Sequence, residues 1–184
     1  MPRPRFTLLV AASADGFIAR APGHAPSEWC SPEEQAVFLA AVDAADWGIM
    51  GRVTHEAAFK PFRRRIVFTH RLAQPEWRRA AHLWLNPALL TPDALPRFVT
   101  RVHPLNEGLI LGGTAVHDWF DAHRRIDVVR LTVEPVRFGM GLPIFSDQPA
   151  GDPVAVLTRR GYRVTGDEPL NAAGARLITL APAG

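Results

Sequence analysis

Gly108-Leu109-Ile110-Leu111-Gly112-Gly113-Thr114-Ala115-Val116-His117-Asp118-Trp119-Phe120 reads as a buried strand, a two-glycine turn and the opening of a helix. Leu109, Ile110 and Leu111 form the short unbroken apolar run expected of a parallel strand covered on both faces. Gly112 and Gly113 remove two side chains where the chain must turn sharply. A helix that starts there presents free amide groups and partial positive charge, a combination that suits a phosphate. A plain strand-to-helix turn explains the same letters with nothing bound, so the stretch gains meaning only from its neighbours.

The 184 residues, 47% hydrophobic and 21% charged, suffice for one domain (1–184) with a sizeable core. No apolar run has the length of a membrane span. The leading Met1-Pro2-Arg3-Pro4-Arg5 runs straight into a short apolar strand and lacks the form of a signal peptide, so a cytoplasmic protein is expected. The lone cysteine, Cys30, excludes an intrachain disulfide and a cysteine-rich zinc site, and the seven histidines show no metal-ligand spacing. The net charge of +3 comes from arginine, with Lys60 the only lysine; heavy arginine, proline and alanine usage points to a GC-rich bacterial genome. The arginines come in short groups (63–65, 78–79, 124–125, 159–160) without a basic helix or stacking motif, so anionic small ligands fit better than nucleic acid.

Outward from the opening stretch, Phe6–Ala12, Asp46–Met50, Arg65–Thr69, Ala81–Leu85 and Ile126–Glu134 read as strands. Ser13-Ala14-Asp15-Gly16 makes a tight corner, and 20–28, with two prolines and a glycine, is a mobile loop placed where ligand lids often sit. Ser31-Pro32-Glu33-Glu34 has the letters of a capping box, with Glu34, Phe38, Ala41 and Ala45 on one face of the helix that follows. Thr91 to about Val102 is a further predicted helix, and Val154–Val164 with Ala175–Leu180 a predicted antiparallel pair. Strands alternating with helices and ending in strands alone give an α/β fold: a mostly parallel central sheet with helices on both faces and a C-terminal antiparallel edge hairpin.

Several segments, in order, resemble one superfamily. Trp47-Gly48-Ile49-Met50-Gly51-Arg52-Val53-Thr54-His55-Glu56, Ile110-Leu111-Gly112-Gly113 and Trp29-Cys30-Ser31-Pro32-Glu33-Glu34 resemble segments of dihydrofolate reductases. Ser13–Ala19 and Pro135–Phe145 are closer to the reductase domain of riboflavin-biosynthesis enzymes (the RibD C-terminal type), which shares that fold. The resemblance covers roughly residues 5–180 and implies an NADPH-dependent reductase. On it, Gly51, Arg52 and Thr54 hold the cofactor pyrophosphate from one side and Gly112, Gly113, Thr114 and Ala115 from the other. Thr69, His70 and Arg71 stand where the family meets the 2′-phosphate, for which a bidentate guanidinium is well suited. As surface arginines, Arg52 and Arg71 would simply be solvated.

The resemblance makes Glu34 the carboxylate that guides a proton to a heterocycle, whereas the capping box explains the same residue structurally. Asp15 stands either at the cleft mouth as a catalytic group or only at a turn. Trp29 and Phe38 are candidate substrate contacts. His117, where dihydrofolate reductases carry tyrosine, either touches the nicotinamide ribose or is a half-exposed helix residue. Arg20, Arg137 and Arg163 are candidates for a substrate phosphate. The expected reaction is hydride transfer to a small heterocycle, foremost a ribosylaminopyrimidine phosphate. The alternatives are reduction of a pterin, as by a dihydrofolate reductase, and a non-catalytic module binding a nucleotide or nucleic acid. A homodimer is implied by the riboflavin-type resemblance.

Overall fold

The computed structural model describes residues 3–184. β1 (Arg5–Ser13) runs through the middle of a nine-stranded sheet, flanked by β7 (Glu107–Gly112) and β8 (Val128–Glu134), both parallel to it. Beyond β7 lie β3 (Trp47–Gly51), β4 (Arg65–Phe68) and β6 (His82–Leu85), again parallel. Beyond β8 come β11 (Arg176–Pro182) and β10 (Tyr162–Pro169), which form the expected antiparallel edge hairpin. The other edge is β5 (Glu76–Arg79), an antiparallel strand the sequence reading did not contain. Its four exposed residues carry no period-two signal. A small separate ladder joins β2 (Phe17–Ala19) to β9 (Leu142–Pro143).

Period-two alternation on β1 divides the core. Phe6, Leu8, Val10 and Ala12 pack in the larger apolar cluster with Val99 of α3 (Pro96–Val99), Val116 and Phe120 of α4 (Thr114–Ala122), and Val156 and Leu157 of α5 (Pro153–Arg159). Leu9 and Leu109 instead meet Ala41, Phe38 and Val42 of α1 (Pro32–Ala44) in a smaller cluster. Helices thus cover both faces. Gly108 is glycine because a Cβ there would lie 2.6 Å from the Phe6 ring. Trp47 is fully buried and its indole N–H donates to the His103 carbonyl at 3.1 Å, so truncation to alanine would cost about 3–5 kcal/mol.

Two carboxylates tie the end of the sheet where the parallel strands begin. Asp46 accepts the amides of Asn106 and Glu107, both at 2.9 Å, and meets the His103 ring at 3.0 Å. Asp127 accepts the Phe6 amide at 2.8 Å and pairs with Arg125 at 3.0 Å. The buried Arg125 guanidinium also reaches Asp93 and the Pro4 carbonyl, so its charge is well partnered.

Two sequence expectations are corrected. Val154–Val164 is not one strand: Asp152 accepts the Val154 amide at 2.9 Å, Pro153 takes the first helical position, and α5 runs to Arg159. Gly161, with φ +92°, ends that helix before β10 begins. The β-branched run hid a cap-and-proline helix start. Nor is Thr91–Val102 a single helix. A 3-10 turn over Pro92–Ala94 precedes the four-residue α3, because Pro96 has no amide to continue the ladder and Thr91 makes no side-chain cap bond.

Candidate active site

The carboxyl ends of β3 and β7 lie side by side, with Met50 paired to Gly112. The two glycine turns therefore meet. A Cβ on Gly51 would stand 4.0 Å from the Gly112 carbonyl oxygen, and one on Gly113 would stand 4.0 Å from Thr54 Oγ1. Gly112 has φ +104°, a region L side chains avoid, and precedes a cis peptide. The first hydrogen bond of α4 runs from the Val116 amide to the Gly113 carbonyl, so the Thr114 and Ala115 amides stand free of the helix ladder at its positive end.

The side chains expected around this crevice are engaged differently. Thr114 Oγ1 donates to the Pro143 carbonyl at 2.6 Å, leaving its amide rather than its hydroxyl for a ligand. Arg52, in α2 (Arg52–Ala57), pairs with Glu56 one turn on at 2.8 Å. Ala115 is exposed. Thr69 is buried just past the end of β4, beside β3, and its hydroxyl accepts the Arg71 amide at 3.4 Å. His70 and Arg71 next to it are exposed.

His117 is buried, which removes the half-exposed reading. One turn into α4, its Nδ1 lies 2.8 Å from the Ile144 carbonyl and must carry the proton that bond needs. Burial pushes its pKa down to about 4, so the ring is neutral. Nε2 is then an acceptor without a partner, and a Cβ on Gly112 would come within 3.3 Å of it. This acceptor calls for a hydroxyl or amide donor, not a phosphate oxygen.

A second centre lies at the start of α1. Ser31 caps the helix by accepting the Glu34 amide at 3.3 Å, but Glu34 does not return the bond. The Ser31 amide and hydroxyl both donate to Glu134 Oε1, at 2.8 and 2.6 Å. The reciprocal capping box is thus replaced by a carboxylate from the end of β8. Glu34 is 4% exposed; its carboxylate receives the Gln35 side-chain amide at 2.9 Å and the Cys30 thiol. Burial, then the negative charge of Glu134, pushes the Glu34 pKa up to about 7. Sequence reasoning missed Glu134, because only the fold brings position 134 to position 31. The same surroundings push the Cys30 thiol up, so it is a poor nucleophile.

Asp15 sits in the β1–β2 turn, where its carboxylate accepts the Ser13 hydroxyl at 2.7 Å and the Gly139 amide at 2.8 Å. Burial works against the anion, but the bonds from Ser13, Gly139 and Phe138 hold Asp15 below the usual carboxylate range. It is a brace between two loops and a poor proton donor at neutral pH. The 20–29 loop packs on Phe138: the Arg20 guanidinium lies 4.4 Å from its ring centre, and the Trp29 ring meets it edge-on at 4.9 Å. Arg20 is therefore already engaged.

Between α1 and the α2–β4 connection opens a cavity of about 300 Å³. Phe38, Val42, Met50, Leu109 and Leu111 line its wall, and Lys60 and Arg63 lie on its rim with the almost fully exposed Phe62. Arg63 pairs with Asp43 of α1. Glu34 lies one turn of α1 from Phe38, so acid and cavity share a helix face. None of Arg20, Arg137 and Arg163 lines this cavity. Arg163 is excluded by topology, being on the outermost strand β10, far from β7 and β3. Among the described residues no cluster of three or more His, Cys, Asp or Glu could hold a metal, and no helix is long and apolar enough to cross a membrane.

No protein-family profile matches the sequence, and no curated protein matches it. Solved structures do. A protein from Shewanella sp. PV-4, described as a riboflavin biosynthesis protein, aligns over 97% of this chain and 98% of its own, with a TM-score of 0.70 and 18% identity. Acinetobacter baumannii RibD aligns over 99% of this chain with a TM-score of 0.75 and 16% identity, this chain spanning 59% of it. Dihydrofolate reductase from Enterococcus faecalis, solved with NADP(H), aligns over 99% of this chain and 98% of its own, with a TM-score of 0.66 and 18% identity. The chain has the dihydrofolate-reductase-like fold.

Proposed function

We propose that the protein is an NADPH-dependent reductase that transfers hydride to a small heterocycle bearing an anionic group, of the ribosylaminopyrimidine-phosphate kind. The observation that carries the reading is the meeting of the Gly51 and Gly112 turns across neighbouring strand ends beside an unpartnered buried acceptor, His117 Nε2. The residues fit a dinucleotide. The missing Cβ atoms leave backbone free to approach, the Thr114 and Ala115 amides suit a pyrophosphate, and His117 Nε2 suits a ribose hydroxyl or carboxamide N–H. Arg52 and Thr54 would hold the other side of the pyrophosphate, and Thr69, His70 and Arg71 the 2′-phosphate.

The reduced nicotinamide supplies the hydride. The chain's own residues do the rest. The apolar cavity wall at Phe38 and Met50 excludes water from one side of the reacting ring. Trp29, held on Phe138, covers another. Lys60 and Arg63 receive the anionic group, with Asp43 displaced from Arg63. Glu34 gives a proton to the nitrogen that gains an electron pair, a role its raised pKa suits near neutrality. Support for the pyrimidine substrate comes from the fold shared with RibD proteins and with a Thermotoga maritima deaminase and 5-amino-6-(5-phosphoribosylamino)uracil reductase, at 20% identity.

The test is a thermal-shift comparison of NADPH, NADH and FAD, followed by NADPH oxidation assays on pyrimidine ribose phosphates and dihydrofolate. Stabilisation by NADPH above NADH, and turnover of the pyrimidine, is the expected result. Lack of stabilisation by any nucleotide would sink the reading. A pterin substrate is the second reading. Glu34 one turn from Phe38, with Arg63 at the cavity mouth, would also suit a pterin with a carboxylate tail. Methotrexate-sensitive turnover of dihydrofolate would select it.

A further inference from the structure

Glu34 and Glu134 are two buried acids that share Ser31, whose hydroxyl accepts the Glu34 amide and donates to the Glu134 carboxylate. Glu34 and Glu134 are 4% and 3% exposed. Among the described residues neither takes part in an ion pair. A pair of this kind holds a proton on one member, because two like charges are costly to desolvate together. The hydrogen bonds decide which member. Glu134 Oε1 receives two donors from Ser31, the arrangement that suits an anion. Glu34 receives Gln35 and Cys30, both neutral. The titratable groups that face Glu34 are Cys30 ahead of α1 and Glu134 from β8. Glu33 bonds outward to Asn171 at 3.1 Å, and Asp15 is turned to the amides of Phe138 and Gly139.

We propose that Glu134 is the positioning residue for proton delivery: it clamps the first turn of α1 through Ser31 and, as the charged member of the pair, leaves Glu34 as the member that carries the proton. The inference rests on the reductase reading for its purpose, although the pair itself does not. A bound reduced nicotinamide would supply hydride to the carbon of a carbon–nitrogen double bond, which in a ribosylaminopyrimidine forms when the sugar ring opens. The electron pair of that bond moves to nitrogen, the Glu34 carboxyl proton joins it there, and solvent restores the proton to Glu34. Strand register places Glu134 opposite Ser13 at the end of β8, so the central sheet fixes the position of the clamp.

The first measurement needs no substrate. Infrared spectroscopy of the folded wild-type protein should show a protonated carboxyl band that titrates near pH 7 and is missing from Glu34→Gln. In Glu134→Gln the amide oxygen can still accept from Ser31, but the charge is gone, and the band should titrate about one pH unit or more lower, a tenfold change in proton affinity. The descending high-pH limb of kcat/KM for the reduction should move down with it, while KM for the substrate changes less than twofold. Absence of the band from wild type at pH 6 overturns the proposal, whether or not the variants fold. So does a Glu134→Gln titration unchanged from wild type, or a shifted titration with an unmoved kinetic limb. A shifted titration in a protein that no nicotinamide nucleotide stabilises and that turns over none of the substrates would uphold the carboxylate pair and sink the reductase reading with the proton-delivery role.

Discussion

The crevice between Gly51 and Gly112 and the carboxylate pair at the head of α1 are built on opposite principles. The crevice is made by omission: three glycines without Cβ atoms, amides left out of a helix ladder, and an imidazole nitrogen with nothing to bond. Its geometry follows from adjacent parallel strands, so backbone register alone assembles it. The carboxylate pair is made by addition. Glu34 and Glu134 stand one hundred positions apart and meet only because α1 and β8 dock at the same sheet end. A site of the first kind tolerates drift in sequence around its glycines. A site of the second kind depends on two side chains at once, and changing either alters the other's charge.

The sharpest way to break this comparison is Glu34→Gln. It should lower kcat for the reduction by about 10²–10⁴-fold, measured as NADPH oxidation, while NADPH affinity changes little. Gly112→Ala should do the reverse. A side chain at φ +104°, aimed at His117 Nε2, should weaken NADPH binding at least about tenfold by titration calorimetry and destabilise the fold by about 1–3 kcal/mol. Arg71→Ala should weaken NADPH about tenfold and leave NADH nearly unchanged, measured by the same titration, because only the 2′-phosphate would need the guanidinium.

The smallest effect is on stability and needs no ligand. Glu34 has a folded pKa of about 7 against an ordinary 4.5, so the native state binds the extra proton between those values. Stability from this group is therefore full below about pH 4.5 and falls as pH rises through 7, by roughly 3 kcal/mol in all. Urea unfolding at pH 5 and pH 8 should show that decline in the difference between wild type and Glu34→Gln, because the depressed pKa values of His117 and His55 raise the stability of both proteins over the same interval. A rise with pH in the difference between the two proteins would contradict the buried-acid geometry.

The sequence made the crevice legible because glycine pairs after apolar runs report on backbone, and backbone is local. The capped start of α1 was legible for the same reason: Ser31 and Pro32 act within one turn. Two things were not. The capping box looked complete in sequence, yet Glu34 turned inward because Glu134 took the Ser31 amide, a choice only tertiary contact could decide. The basic rim was hidden among other arginines, since Arg63 resembles Arg163 until topology puts one on a cavity and the other on the far edge of the sheet. The α5 segment reads as strand because Val154, Val156 and Thr158 are β-branched, yet Asp152-Pro153 sets a helix start and the cap prevails.

The Gly51–Gly112 crevice and the Glu34–Glu134 pair lie where the parallel strands finish, while Asp46 and Asp127 rivet the end where they begin. A rearrangement on ligand uptake is expected to pivot on that fastened end. Deuterium uptake at Phe6, Asn106 and Glu107 should stay slow in empty and loaded protein alike. Those three amides then form an internal clock against which loosening or tightening of the opposite rim can be timed.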